Sequence, residues 1–184
     1  MTRFTVPQRE DVSEKNRAIF DTLKNALGIV PNLYATIAYS NTGLENYLAL
    51  QNGKTSISKK EKEAINLVVS QVNNCRYCQS AHTVLGKMNG FTEEQTIEIR
   101  EGSASFDSKL DALIKFAKEA TIKKGRVSEA TLDNFFNAGY TNESIIDVII
   151  AIADKVVMNY VHNLTEIPID FPLAKSLESQ TTVI

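Results

Sequence analysis

Residues 58–90 read SKKEKEAINLVVSQVNNCRYCQSAHTVLGKMNG, and their reading decides the fold. Ser58 followed by Glu61 is a reciprocal capping pair: the hydroxyl accepts from the N3 amide, and the carboxylate returns to the N-cap amide. The pair starts a helix over Lys59 to Val72. Asn73-Asn74 breaks it, a second helix runs from about Cys75 to Asn89, and Gly90 stops that one. A helical hairpin is expected here.

The same signals recur on both sides. Ser13 caps a helix through about Leu27, with Ile19, Phe20, Leu23 and Leu27 at three- and four-residue spacing and Gly28 as its end. Pro31 opens a short helix over Leu33, Ile37 and Ala38. Leu44, Tyr47, Leu48 and Leu50 mark a third, stopped at Asn52-Gly53. Thr92 and Gln95 form another capping box, for a helix ending near Gly102. Asp107 starts a long amphipathic helix closed by Gly125, and Ser128 starts the next, ended by Gly139. The last helix spans Asn142 to about Asn163. Its apolar residues surround most of its circumference, so it is expected to be the central buried helix. The prediction is an all-α single domain, 1–184, of eight or nine helices, with its motif core at 58–90 and a C-terminal tail over 173–184. Thr181 to Ile184 is expected to be a frayed end.

The chain has 184 residues, 43% hydrophobic and 23% charged, which is globular composition and excludes a fibrous or disordered protein. A net charge of −2 gives no field to attract nucleic acid or anionic lipid. Ile145 to Val157 is the longest apolar stretch, and Asp147, Asp154 and Lys155 interrupt it, far short of a membrane span. The N-terminus carries no apolar core of signal-peptide length, so the protein is expected to be cytoplasmic and complete as written. Two cysteines in a reducing compartment are not a structural staple.

Both cysteines and one of the two histidines fall within 75–82, as Cys75-Arg76-Tyr77-Cys78-x-x-x-His82. Residues three and four apart share a helix face, so all three project from one stripe. A helix start near Cys75 adds partial positive charge that favours a thiolate. Such a face supplies a two-electron thiol site: a thiolate attacks an electrophile, a second thiol condenses to a disulfide, and an imidazole carries protons. Cys78, the cysteine nearest His82, is expected to attack and Cys75 to resolve. The reverse order stays open, because Cys75 lies nearer the helix dipole. The sulfurs should be low in pKa and partly accessible.

Glu63, then eleven residues, then the Cys-x-x-Cys-x-x-x-His run resembles the signature of the AhpD-like alkylhydroperoxidases of the carboxymuconolactone decarboxylase superfamily. The closing segment Asn159-Tyr160-Val161-His162-Asn163, followed by Ile167-Pro168-Ile169-Asp170-Phe171-Pro172, is similar to the peroxidase-related branch. The resemblance implies an all-helical trimer or hexamer with no cofactor. It implies a hydroperoxide substrate and a dithiol reductant, which a protein can supply; charge and hydropathy, as above, point to neither nucleic acid nor membrane as partner. It makes Glu63 the relay carboxylate, Cys75 and Cys78 the redox pair, and His82 the proton carrier. Tyr77 stands where well-known members have a second histidine, and no role is carried onto it.

Other readings use the same residues. Cys75, Cys78, His82 and His162 number four, the count of a structural zinc site, although a continuous helix is a poor chelate. A lyase or isomerase working by acid–base chemistry would need no cysteine pair, and a redox sensor would need no turnover. His162 reads as structural or pocket-lining, and Arg76 as pointing into solvent.

Overall fold

Four other helices pack around the one that starts at the Ser58 capping box. In this computed structural model, which describes residues 4–177, that box forms: Glu61 N donates to Ser58 Oγ at 3.2 Å and Ser58 N to Glu61 Oε2 at 2.9 Å. The helices among the described residues are α1 (Glu14–Leu27), α2 (Asn32–Ile37), α3 (Gly43–Gln51), α4 (Lys59–Val72), α5 (Arg76–Met88), α6 (Glu93–Glu101), α7 (Ser108–Ile122), α8 (Glu129–Asn137) and α9 (Asn142–Thr165), after a short 3-10 turn at Arg9–Asp11. There is no strand among them. Ser13, Thr92, Asp107 and Ser128 each accept the amide expected of an N-cap. Gly28 ends α1 at φ 80°, a left-handed conformation that costs a residue with a Cβ.

The all-α reading holds, but the centre of the fold is α4 rather than α9. Seven consecutive residues of α4, Ala64 to Ser70, are buried, and α5, α6, α7 and α9 pack around it. With α7, α8 and α9 it forms the main apolar core, in which Phe135 stacks on Tyr140 at 4.4 Å. Helix α9 lays only part of its surface on that core. Ile146, Ile149, Ile150, Val157, Tyr160 and Leu164 are exposed along one stripe. All-round hydrophobicity marked an apolar face left uncovered in this single chain, not complete burial.

Two boundaries also differ. Helix α9 continues to Thr165, because its left-handed cap is Glu166 (φ 50°) and no glycine announces it. Helix α5 starts at Arg76, so Cys75 is its N-cap with extended backbone, and Asn74 (φ 52°) turns the chain out of α4. After α9 the chain folds back over α5. Ala174 N donates to Ser80 Oγ at 3.1 Å, and Arg100 Nη1 donates to Lys175 O at 2.8 Å. The expected tail is thus tied down through its first residues; the frayed end expected at Thr181 to Ile184 lies outside the described residues. No described helix is long and apolar enough to cross a membrane.

Candidate active site

The helix hairpin brings three of the four expected residues to one cavity. Glu63 projects from α4, and Cys78 and His82 from α5; all three line a space of about 550 Å³. Cys75 does not line it. As the N-cap it turns its Sγ back to accept the Cys78 amide at 3.4 Å, so it stands behind Cys78 instead of beside it on a shared stripe. Both are free thiols, and Cys78 is only 2% exposed. The expectation of partly accessible sulfurs is therefore corrected: Cys78 is reached through the cavity, and Cys75 through Cys78.

His82 Nδ1 and Glu63 Oε2 are 2.7 Å apart in nearly buried surroundings. Burial alone pushes the Glu63 carboxyl up, but the His82 imidazole and then Lys155 outweigh it and hold the group below the usual carboxylate range. Burial, with Lys155 adding, holds His82 below its usual value, and Glu63 opposes only part of this. The resulting pair is a carboxylate accepting Nδ1–H from a neutral imidazole. Fixing that tautomer leaves Nε2 as the ring's acceptor, the state a proton carrier needs.

The two thiols titrate apart. A hydrogen bond from Cys75 favours the Cys78 thiolate against burial, and the Lys155 ammonium and Asn159 favour it further, so Cys78 lies below the usual thiol range. Cys75, facing that sulfur and buried, is pushed up. This supports Cys78 as the attacking sulfur and Cys75 as the resolving thiol.

Several lining residues had no place in the sequence reading. Tyr34 donates its hydroxyl to Gln51 Oε1, and Gln51 Nε2 donates to Tyr47 Oη, each at 2.7 Å. Burial pushes Tyr34 up to about 12, so it is a donor and not a base. Lys155, 2% exposed, also lines the cavity. Its signal was visible: Asp154-Lys155 is a charged dipeptide inside the most apolar stretch, read only as an interruption of a membrane span. Charges placed there are carried into the interior by the helix.

His162 is structural, and Tyr77 both packs against it and lines the cavity beside Cys78. The two rings pack at 5.2 Å, Nε2 of His162 pairs with Ile167 O at 3.2 Å, and Tyr77 Oη accepts from Leu33 N at 3.3 Å. Arg76, expected in solvent, donates to Ser176 at 3.0 Å. The four-ligand zinc arrangement does not assemble, since His162 is committed to Ile167; no three His, Cys, Asp or Glu side chains converge on a metal position among the described residues. A second recess, about 570 Å³, is lined mainly by residues of α7 and α8 such as Lys109, Asp111, Lys115 and Asn134, with no cysteine or histidine.

The chain is all-helical among its described residues and sets a Cys-x-x-Cys at the start of a buried helix beside a His–Glu pair. Residues 41–121, from α3 to the last turn of α7, match the Carboxymuconolactone decarboxylase family. Among solved structures the chain is similar to an uncharacterized peroxidase-related protein from Silicibacter sp. TM1040, at 22% identity and TM-score 0.79 over 94% of this chain and 91% of that one. It is similar also to an alkylhydroperoxidase AhpD core, a peroxidase-related protein from Ralstonia eutropha JMP134, at 20% identity and TM-score 0.82 over 92% of each chain. A third is a cysteine-to-alanine variant of the debrominase Bmp8 in complex with 2,3,4-tribromopyrrole, at 19% identity and TM-score 0.75 over 92% of each chain. These likenesses establish the fold. Comparison with curated proteins gives no significant match.

Proposed function

We propose that the protein is a thiol-dependent peroxidase that reduces hydroperoxides through a Cys75–Cys78 dithiol/disulfide cycle. The observation that carries this reading is a thiol of lowered pKa, Cys78, opening onto a cavity shared with the His82–Glu63 pair and backed by the second thiol. Cys78 Sγ attacks the terminal oxygen of the hydroperoxide, the O–O bond breaks, and its electron pair leaves on the alkoxide. His82 Nε2 accepts the thiol proton and returns it to that alkoxide, giving an alcohol and a Cys78 sulfenic acid. Cys75 then attacks Cys78, the S–O bond breaks, and hydroxide takes the Cys75 proton to leave as water. A dithiol reductant, free or on a protein, restores both thiols by exchange. Glu63 positions His82 and stabilises its protonated form.

A bromopyrrole-binding debrominase among the similar folds supports a second reading. The same two thiols supply the electron pair that reduces a carbon–bromine bond to carbon–hydrogen, releasing bromide and forming the disulfide. A decarboxylase-like lyase would use His82 and Glu63 alone and survive alkylation of the cysteines.

A homo-oligomer is part of the proposal, since the exposed stripe of α9 is more apolar surface than an isolated helix face leaves to water. A reducing, cytoplasmic setting fits a cysteine pair that must return to thiols.

The test is consumption of hydroperoxide with a panel of dithiol reductants. Wild type should turn over. Cys78→Ser should be inactive, and Cys75→Ser should stop after one equivalent with a sulfenic acid on Cys78. Turnover retained in Cys78→Ser overturns the reading, and bromide release without peroxide consumption selects the second one.

A further inference from the structure

The charges around the cavity do not all find partners within the chain. Glu63 is paired with His82 at 2.7 Å. Lys62 donates to Gln51 O at 2.7 Å and lies 3.7 Å from Asp154, a carboxylate that is itself 1% exposed. Lys155 is left over. It is 98% buried, its side chain lines the cavity, and among the described residues no hydrogen bond or ion pair holds its Nζ. The ammonium meets only the cavity space, so its acceptor must come from what fills that space, and an anion satisfies it better than water.

The cavity has a polarity gradient as well. Cys78, His82, Glu63, Lys155, Tyr34 and Gln51 form its polar part, whereas Leu27, Ile29 and Met88 line it while remaining exposed to solvent, Met88 by 77%. Leu33, Met158 and Phe171 add apolar wall. About 550 Å³ is the size of a cleft that takes an organic ligand, and far exceeds the need of hydrogen peroxide.

We propose that this cavity binds an amphiphilic organic anion, its carboxylate on Lys155 Nζ and its apolar body toward the exposed rim of Leu27, Ile29 and Met88. This rests on reading the Cys78 cavity as the substrate site, but not on peroxide being the substrate. Lys155 is then a specificity-determining residue. It selects acids over neutral molecules of the same shape, and it places the substrate's headgroup at the thiol end. The ammonium serves either the Cys78 thiolate or the bound carboxylate, so an anion on Lys155 also quiets the sulfur.

The test follows alkylation of Cys78 by iodoacetamide in the full-length reduced protein, with octanoate as the anionic probe and octanamide as its neutral twin. Octanoate should half-protect Cys78 at a concentration roughly tenfold or more below that of octanamide, as for a hydrogen bond to a charged group. In Lys155→Met the two probes should protect equally, each compared with the unprotected rate of that same variant. Equal protection of wild type by both probes, or protection by neither at millimolar concentration, overturns the proposal; these arms need no variant to fold. A preference that survives Lys155→Met also overturns it. Alkylation involves no peroxide, so selective protection without turnover removes the peroxidase reading and leaves the anion site standing. Turnover without selectivity does the reverse.

Discussion

Glu63→Gln removes a charge and keeps a shape, which makes it the sharpest probe of the proposed relay. The carboxylate meets His82 Nδ1 at 2.7 Å with both side chains mostly shielded from solvent. An amide oxygen in the same place still accepts from Nδ1–H and holds the tautomer. What disappears is the attraction between the carboxylate and the imidazolium that forms when His82 takes the Cys78 proton. A hydrogen bond with an ionised partner contributes about 1.5–3 kcal/mol, roughly twice a neutral one. The bare Coulomb energy of two charges about 4 Å apart at an effective dielectric of 20 is about 4 kcal/mol. The loss therefore falls between about 1 and 4 kcal/mol, which lowers kcat/KM by roughly fivefold to a thousandfold. The pH profile separates a relay from a merely structural role. Glu63 raises the pKa of His82, so its removal should move the histidine-governed limb to lower pH. Turnover within about twofold of wild type, or a rate loss of the expected size with that limb unmoved, refutes the reasoning.

Folding stability should fall on acidification below about pH 6.5, the ordinary histidine value. Both histidines are buried with lowered pKa, so the unfolded chain binds protons that the native chain refuses; the loss grows until pH reaches the depressed native values. Glu63 adds to the loss further down, because its stabilisation is complete above the unfolded carboxylate range and vanishes as pH falls through its lowered native value. Urea midpoints at about pH 7.5 and about pH 5.5 check the sign, and an unchanged midpoint contradicts it. On the surface, Ile150→Glu together with Leu164→Glu should convert an oligomer to monomer in light scattering with helical content unchanged, and an intact oligomer rules out the α9 stripe as the contact.

Most of the helices were legible because their ends are written in short-range chemistry. Ser58 with Glu61, Thr92 with Gln95 and Gly28 each act within one turn, so neighbouring residues alone announce them. The end of α9 was not legible, because Glu166 takes a left-handed conformation that sequence assigns to glycine. The rank of α9 in the core was misread for a different reason: apolar periodicity reports a wish to be covered, and nothing in one chain says what covers it. At the site, Glu63, Cys78 and His82 converge because their spacing meets one α4–α5 hairpin. Lys155 and Tyr34 reach the same cavity from α9 and α2, and no local pattern records an approach between helices so distant in the chain.

The position of Cys75 carries the last step. Side chains three apart within a regular helix have Cβ atoms about 5–6 Å apart. A disulfide asks for about 3.5–4.5 Å. Two mid-helix cysteines would thus share a face and still bond poorly. The Asn73-Asn74 break ends the preceding helix so that Cys75 falls one residue outside α5, at φ −87° and ψ 97°, where its side chain is free of helical direction and turns onto the Cys78 amide. Cys78 stays in the first turn, where unpaired amides concentrate positive charge, and it alone faces the cavity. A single residue of helix phase therefore separates two chemically identical thiols: one faces the cavity with its anion favoured, and the other stands behind it with its proton held, which is the division of labour the proposed cycle needs.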